Sequence, residues 1–237
     1  NYNYTSYYLM GVIYIFVGFL FIQRDLGTAA IFIAIYTLLQ YIYDEDRVSI
    51  LVNIGLMLIG SVVGYFLFSH VRKRVDIWLN PWTADKVVND ARQIVQSLFG
   101  ISEGGFLGQG IGLGYPKQIT LAYSDVIFSA ICEEMGILTG IGIIMLYMLL
   151  VYRAIKIALN QEYLFYRILA LAVAILFTVQ AFLNIGGVIK LIPMTGLTLP
   201  FISYGGSSLI SSFVALGILQ VTSEDLSYKY EKGVDNE

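Results

Sequence analysis

Charge is what this sequence has least of. Only 13% of its 237 residues are Asp, Glu, Lys or Arg, while 57% are hydrophobic and the mean hydropathy is +0.74. Soluble domains carry about one-quarter charged residues, and a soluble fold of this length cannot hide so much apolar surface. The chain therefore reads as an all-α integral membrane protein. The net charge of −3 gives no footing for nucleic acid. Cysteine is nearly missing as well: Cys132 alone excludes an intrachain disulfide and a multi-cysteine metal site. His70 is the only histidine, which leaves neither a His-based zinc site nor a Ser-His-Asp triad to look for. The sequence starts at Asn1 without methionine, a charged n-region or a small-residue cleavage site. Its opening segment is not a signal peptide, and the expectation is a longer protein whose N-terminal part precedes Asn1.

What is present falls into apolar stretches between short charged clusters. A bilayer core of roughly 30 Å takes about 20 apolar residues as helix. Six segments answer to that: Tyr7–Ile22, Leu26–Tyr43, Val48–Ser69, Val126–Tyr152, Ile168–Ile189 and Tyr204–Val221. The stretch before the last carries Pro193, Gly196 and Pro200, so residues 190–206 are expected to be irregular or re-entrant. Irregular backbone at membrane depth survives only where protein or a wet cavity covers it. The organisation expected is three spans in 1–69, a large polar loop in 70–124, three spans in 125–223 and a tail over 224–237.

Within the loop, Val87, Val88, Ala91, Ile94, Val95, Leu98 and Phe99 recur at helical spacing and predict an amphipathic helix, with Thr83 or Asp85 as its cap. The run from Gly104 to Gly114 holds six glycines but matches neither a dinucleotide fingerprint nor a P-loop. Its plain reading is a loop with several positive-φ positions. Loop charges divide eight against six. Arg24, Arg72, Lys73, Arg74, Lys86, Arg92, Lys117 and Lys190 fall on one side, and Arg47, Arg153, Lys156, Arg167, Lys229 and Lys232 on the other. That margin does not orient the chain.

Asp125 is the leading candidate for chemistry, because an ionisable group at the point of membrane re-entry is functional by default. The alternative is a helix cap, for which Ser124 also qualifies. Eight residues rotate a helix by about 80°, so Glu133 could share a cavity with Asp125, whereas Glu134 should face elsewhere. Arg72, Lys73 and Arg74 read either as interfacial anchors or as a clamp for an anionic headgroup. Arg24 and Asp25 read as an ion pair closing a tight turn. Ser207, Ser208, Ser211 and Ser212, and separately Gly136 and Gly140, read as small faces for close helix packing.

Together these pieces resemble the SEDS family, the RodA/FtsW/SpoVE cell-wall polymerases. Gln23-Arg24-Asp25-Leu26-Gly27-Thr28 resembles that family's Q-P-D-L-G-T turn, with Arg for Pro. Arg74 to Trp82 resembles its R-x-x-x-[FW]-L-D/N-P-W stretch, and Gln93 with Gln96-Ser97 its Q-x-x-Q-S helix. The glycine loop, Ser124-Asp125-Val126-Ile127-Phe128 and Glu133-Glu134-Met135-Gly136 have counterparts too. Asn184-Ile185-Gly186 and the long run from Pro193 to Ser208 match its C-terminal signature almost throughout. The resemblance departs at Thr120-Leu121-Ala122-Tyr123, where members carry P-E-x-H.

The resemblance implies the C-terminal six of about ten helices, with the 70–124 loop outside the cell and the 224–237 tail in the cytoplasm. It implies a multi-pass protein of the bacterial cytoplasmic membrane that polymerises lipid II, working with a class B penicillin-binding protein among membrane lipids, and with no nucleic acid. The catalytic aspartate would be Asp125. Substrate contacts are expected from Arg74, Lys73, Gln93, Gly105, Gly110, Glu133, Ser203, Tyr204, Gly205 and Ser207, with amides of the glycine loop offsetting diphosphate charge. No protein metal site is expected; a divalent cation, Mg or Mn, could assist at the diphosphate. A lipid II flippase and a non-catalytic scaffold for the penicillin-binding protein are the rival readings.

Overall fold

The structure, a computed structural model, describes residues 2–43, 47–83, 91–114, 119 and 122–223, with side chains from Tyr8 onward. Asp85 and the 224–237 tail lie outside the described residues. The described residues form eight helices: α1 (Tyr2–Ile22), α2 (Leu26–Tyr43), α3 (Arg47–Leu67), α4 (Ser69–Leu79), α5 (Arg92–Gly104), α6 (Ile127–Asn160), α7 (Leu164–Val188) and α8 (Gly206–Ser223). Five of them, α2, α3, α6, α7 and α8, are long and apolar enough to cross a membrane. The expected span in α1 is apolar over its described side chains, Tyr8–Ile22.

The α6–α7 pair forms the spine, with α5 laid on α6 and α8 on α7. Helices α1 to α3 make a second group, joined to the spine where α2 meets α7. That group is tied by polar contacts. Asn53 of α3 is fully buried; its amide donates to Thr37 Oγ1 (2.9 Å) and Gln40 Oε1 (3.2 Å) of α2, and Tyr14 of α1 donates to its carbonyl groups. In a medium that offers no water, such bonds hold helices that apolar contact alone would not select. Outward-facing Phe16, Phe19, Leu58, Phe66, Met145, Leu149 and Phe213 are exposed, as lipid-facing surface should be. Asp25 closes the α1–α2 turn as a helix cap, its Oδ1 accepting the Thr28 amide at 3.0 Å, not as an ion pair with Arg24.

Two helix ends differ from the pattern read off the sequence. The third span stops at Leu67, and after an extended Phe68 the chain turns into α4, which carries the basic cluster. Helix α6 runs to Asn160, past Tyr152, because a helix does not end at its first charge: Arg153 and Lys156 simply continue it beyond the apolar stretch. Ala91 is the N-cap of α5 (Arg92–Gly104), and the helix start that Thr83 or Asp85 is expected to cap lies outside the described residues.

Helix α6 breaks its own ladder at Gly136 (φ 81°, ψ 166°). The break frees the carbonyls of Glu133 and Glu134 and the amides of Ile137 and Leu138. The glycine loop takes up all four: Gln109 N donates to Glu133 O (3.0 Å), Gly110 N to Glu134 O (2.9 Å), Ile137 N to Gly105 O (2.9 Å) and Leu138 N to Phe106 O (3.4 Å). Backbone meets backbone so closely that a Cβ on Gly108 would stand 2.2 Å from Glu134 O, and one on Gly136 2.2 Å from Phe106 O. Gly136 is thus a hinge of the ladder, and it does not form a packing stripe with Gly140, whose own neighbours are Cys132 and Phe128.

This clip makes a graded prediction. Gly108→Ala combines positive φ (80°) with the collision and should cost about 3 kcal/mol or more. Gly112→Ala, also at positive φ (77°) but facing open space, should cost only roughly 1–2 kcal/mol. Thermal unfolding of the detergent-solubilised variants separates the two; equal losses would mean that close approach is not what the glycine serves.

Candidate active site

The site is assembled on backbone that is not helical. Helix α7 ends in a Schellman turn: Leu191 N donates to Gly186 O (2.8 Å) and Lys190 N to Gly187 O (3.2 Å). Lys190 occupies the left-handed position of that turn (φ 63°), which glycine would fill without strain; a side chain there costs roughly 1–2 kcal/mol. From Ile189 to Gly205 the chain is irregular, and side chains from three directions satisfy it. On α4, Arg74 and Trp78 lie one turn apart on one face. The Arg74 Nη1 donates to Met194 O (3.1 Å) and Thr195 O (2.7 Å), and the Trp78 indole N–H to Lys190 O (3.1 Å). From α7, Gln180 donates to Thr198 O (3.2 Å). From α6, the Tyr147 hydroxyl donates to Pro200 O.

The same segment grips the turn that bears Asp125. The amide of Asn184, a buried residue of α7, bridges two carbonyls, donating to Asp125 O (2.8 Å) and to Leu197 O (2.5 Å). Ser203 accepts the Leu199 amide (2.7 Å) and donates to Ser124 O (2.6 Å), and Tyr204 N donates to Tyr123 O (2.8 Å). These bonds hold the backbone on either side of Asp125 and leave its carboxyl unengaged with the α6 terminus: Val126 is the N-cap, and no side chain caps the helix.

Asp125 opens into a cleft of about 230 Å³, lined also by Arg74, Trp78, Gln93, Lys190, Met194 and Gly196. Partial burial pushes its carboxyl above the ordinary aspartate value, and the Ser124 hydrogen bond and the Arg74 charge pull back only partly. A Cβ on Gly196 would come 3.7 Å from Asp125 Oδ2 and 3.8 Å from Arg74 Nη2, so glycine there keeps the space between acid and cation open. A carboxyl with a raised proton affinity, in a cleft with two cations, can take a proton from a bound hydroxyl while the cations face an anion.

Of the residues singled out from sequence, the cleft gathers Asp125, Arg74 and Gln93. The others stand elsewhere. Lys73 is exposed and does not line the cleft, and Arg72 donates to Phe66 O (2.9 Å). Glu133 is 2% exposed and turned toward α5 and the loop: a Cβ on Gly100 or Gly114 would lie 3.2 or 3.1 Å from its carboxylate oxygens. The rotation argument fails for it because Asp125 precedes the helix instead of standing on its first turn. Gly105 and Gly110 belong to the clip on α6, where the amides of Gln109 and Gly110 are occupied, and Gly112 N donates to Glu134 Oε1 (3.2 Å). These amides make the loop a structural clip on α6. Ser203 is buried in the backbone grip, and Tyr204 and Ser207 are exposed, with the Tyr204 ring edge-on to Tyr123 (5.8 Å). Gly205 sits against Ser208 and Thr198. The serine face of α8 also divides, Ser208 pairing with Thr198 (2.6 Å) while Ser211 and Ser212 bond back into their own helix. Sequence reasoning assigned no role to Trp78, Asn184 or Lys190. Trp78 and Asn184 stood within the motifs quoted above without a role of their own, and Lys190 was visible only as a cation between two apolar stretches, shortly before Pro193.

Comparison with known proteins gives one answer. The family of FtsW, RodA and SpoVE, described as cell cycle protein, matches residues 1–228. The chain is 36% identical over 203 residues to the peptidoglycan glycosyltransferase RodA of Mycobacterium tuberculosis, covering 86% of this chain and 43% of that protein. It is 38% identical over 229 residues to a probable peptidoglycan glycosyltransferase FtsW of Trichlorobacter lovleyi (95% and 59%), and 36% identical over 210 residues to the stage V sporulation protein E of Bacillus subtilis (86% and 57%). The chain thus spans about half the length of the curated relatives it matches. A solved chain described under "Structural coordination of polymerization and crosslinking by a peptidoglycan synthase complex" superposes with a TM-score of 0.70 at 29% identity, over 87% of this chain and 58% of that one.

The grip on Asp125 predicts a contrast between two serines of one motif. Ser203→Ala strands the buried Leu199 amide and should cost roughly 1–3 kcal/mol, whereas Ser207→Ala, exposed, should stay within about 0.5 kcal/mol. Melting curves of the two variants check it.

Proposed function

Because the chain belongs to the FtsW/RodA/SpoVE family of cell cycle proteins, we propose that it is the catalytic half of a peptidoglycan glycosyltransferase that uses Asp125 as general base. The observation that carries the proposal is the placement of Asp125. It is the carboxylate of a cleft that also holds Arg74 and Lys190, on a turn fixed by Asn184 and Ser203. The substrates are two lipid-linked saccharides, lipid II in the simplest case. A sugar hydroxyl of one attacks the anomeric carbon of the other; Asp125 takes the hydroxyl proton as the new C–O bond forms. The bond to the polyprenyl diphosphate breaks with inversion, the diphosphate leaving with the electron pair. Arg74, anchored on Met194 O and Thr195 O, faces that charge from a fixed position, which is worth more than a mobile cation because nothing must reorganise.

In this reading the cleft and the 70–124 loop lie on the outer face of the bacterial cytoplasmic membrane, and the partner is a class B penicillin-binding protein. Among the described residues no cluster of His, Cys, Asp or Glu could hold a metal by itself. A magnesium or manganese ion would arrive on the diphosphate, neutralising it.

The test is glycan-strand synthesis from lipid II by the full-length parent with its partner. Asp125→Ala and Asp125→Asn should lower turnover by about 10²–10⁴-fold; wild-type polymer from either, in a folded variant, would sink the assignment. The pH profile is a second check. The base works ionised, and burial raises its pKa above 3.8, so activity should rise with pH through an apparent pKa above that value. Below it, the protonated carboxyl cannot accept the hydroxyl proton. An acid limb at the ordinary aspartate position would show that the carboxyl is not desolvated when it acts.

A further inference from the structure

Lys190 combines two features that seldom meet by accident. It is a non-glycine residue in a left-handed conformation, at the one position of the Schellman turn where glycine would be free of strain. It also lines the cleft that contains Asp125 and Arg74. The strained backbone is held from both sides, by the turn's own hydrogen bonds and by the Trp78 indole donating to the Lys190 carbonyl (3.1 Å). Strain retained where a residue faces a binding cleft is a pointer to function.

The charges around the cleft say what function. Arg74 is anchored through Nη1 to two carbonyls and so has a fixed reach. Lys73, the cation expected beside it, is exposed and does not line the cleft. Lys190 is the second cation of the cleft, an ammonium with three donors on a flexible four-carbon stem. Arg74 and Trp78 come from α4 and Lys190 from the end of α7, so the cleft meets a ligand with cations from both walls. The lining carries two cationic residues and one carboxylate, a surplus of one positive charge suited to an anionic ligand, and of the two it is Arg74 that acts on Asp125.

We infer that Lys190 is a diphosphate-binding residue, which engages the phosphate oxygens of the polyprenyl diphosphate as the sugar–oxygen bond breaks. The inference rests on the glycosyltransferase reading for the identity of the ligand. Its chemistry is charge pairing without covalent change: the ammonium keeps its protons and donates them as hydrogen bonds, the diphosphate keeps the electron pair. Methionine or glycine at this position removes the charge, but the two differ in backbone, since only glycine also relieves the strain. A plain structural role, a lysine offsetting the carbonyl ends of α7, makes the opposite forecast for binding.

The experiment uses the full-length parent in detergent and titrates a short-chain polyprenyl diphosphate as probe, alongside thermal melting and the polymerisation assay. Lys190→Gly and Lys190→Met should both weaken probe binding about 10- to 100-fold, the size of a hydrogen bond to a charged group. Lys190→Arg, which keeps charge but changes shape, should stay within about threefold. Lys190→Gly should at the same time melt at or above the wild-type temperature, so that lost affinity cannot be put down to lost structure. Probe affinity unchanged in both the Gly and Met variants would overturn the inference while leaving the glycosyltransferase reading intact, provided the wild type still makes polymer. A wild type that binds the probe through Lys190 yet makes no polymer would instead overturn the enzymatic reading and keep the anion site.

Discussion

Backbone amides and carbonyls that leave a helix inside a membrane-embedded fold must find partners in the protein, because the surroundings supply none. Most of this structure follows from meeting that requirement at two places. One is the break at Gly136, where four freed groups are taken up by the glycine loop. The other is the irregular stretch after α7, whose carbonyls are met by Arg74, Trp78, Gln180, Asn184 and Tyr147. Side chains recruited for that purpose then become walls of a cleft. Arg74 illustrates the economy: one guanidinium nitrogen secures the backbone while the group as a whole sets the potential around Asp125.

The fold does not use the carboxyl for a helix cap; only a Ser124 hydrogen bond and the Arg74 charge act on it against burial. Its neighbours bond to the backbone of residues 123–125 and fix the position of the turn, but the helix that follows does not use Asp125 as a cap. Burial is then free to raise its proton affinity. A capping interaction would have done the reverse, since amide donors favour the ionised form. Glycine at 196 leaves the space beside the carboxyl and the Arg74 guanidinium unfilled, since a Cβ there would touch both.

Much of this was legible in the sequence, for identifiable reasons. Apolar runs between charged clusters located the spans, because length and composition alone govern whether a helix can sit in lipid. Pro193, Gly196 and Pro200 announced irregular backbone. Asp125 was conspicuous because few other carboxylates interrupt the apolar segments. The glycine loop was harder: its glycines are needed for backbone contacts with residues 24 to 32 positions later, and no local pattern encodes a distant partner. Glu133 was misplaced by extending helical geometry to a residue lying before the helix. Lys190 was visible as a charge, but its conformation was not, since a lysine carries no signature of a left-handed turn. The bonds that make Asn184 and Ser203 important run to carbonyls, which every residue has.

The glycine clip has a bearing on biogenesis. Residues 105–110 leave the ribosome before the helix they complete, and a span separates the two sides on which they could come to rest. If the loop stays on the wrong side when α6 inserts, two carbonyls and two amides at Gly136 remain bare, at a cost of several kcal/mol each in hydrocarbon. If it crosses first, the kink closes on a partner already waiting. A topology that keeps the loop from reaching Gly136 therefore carries its own energetic penalty, written into the backbone of the helix.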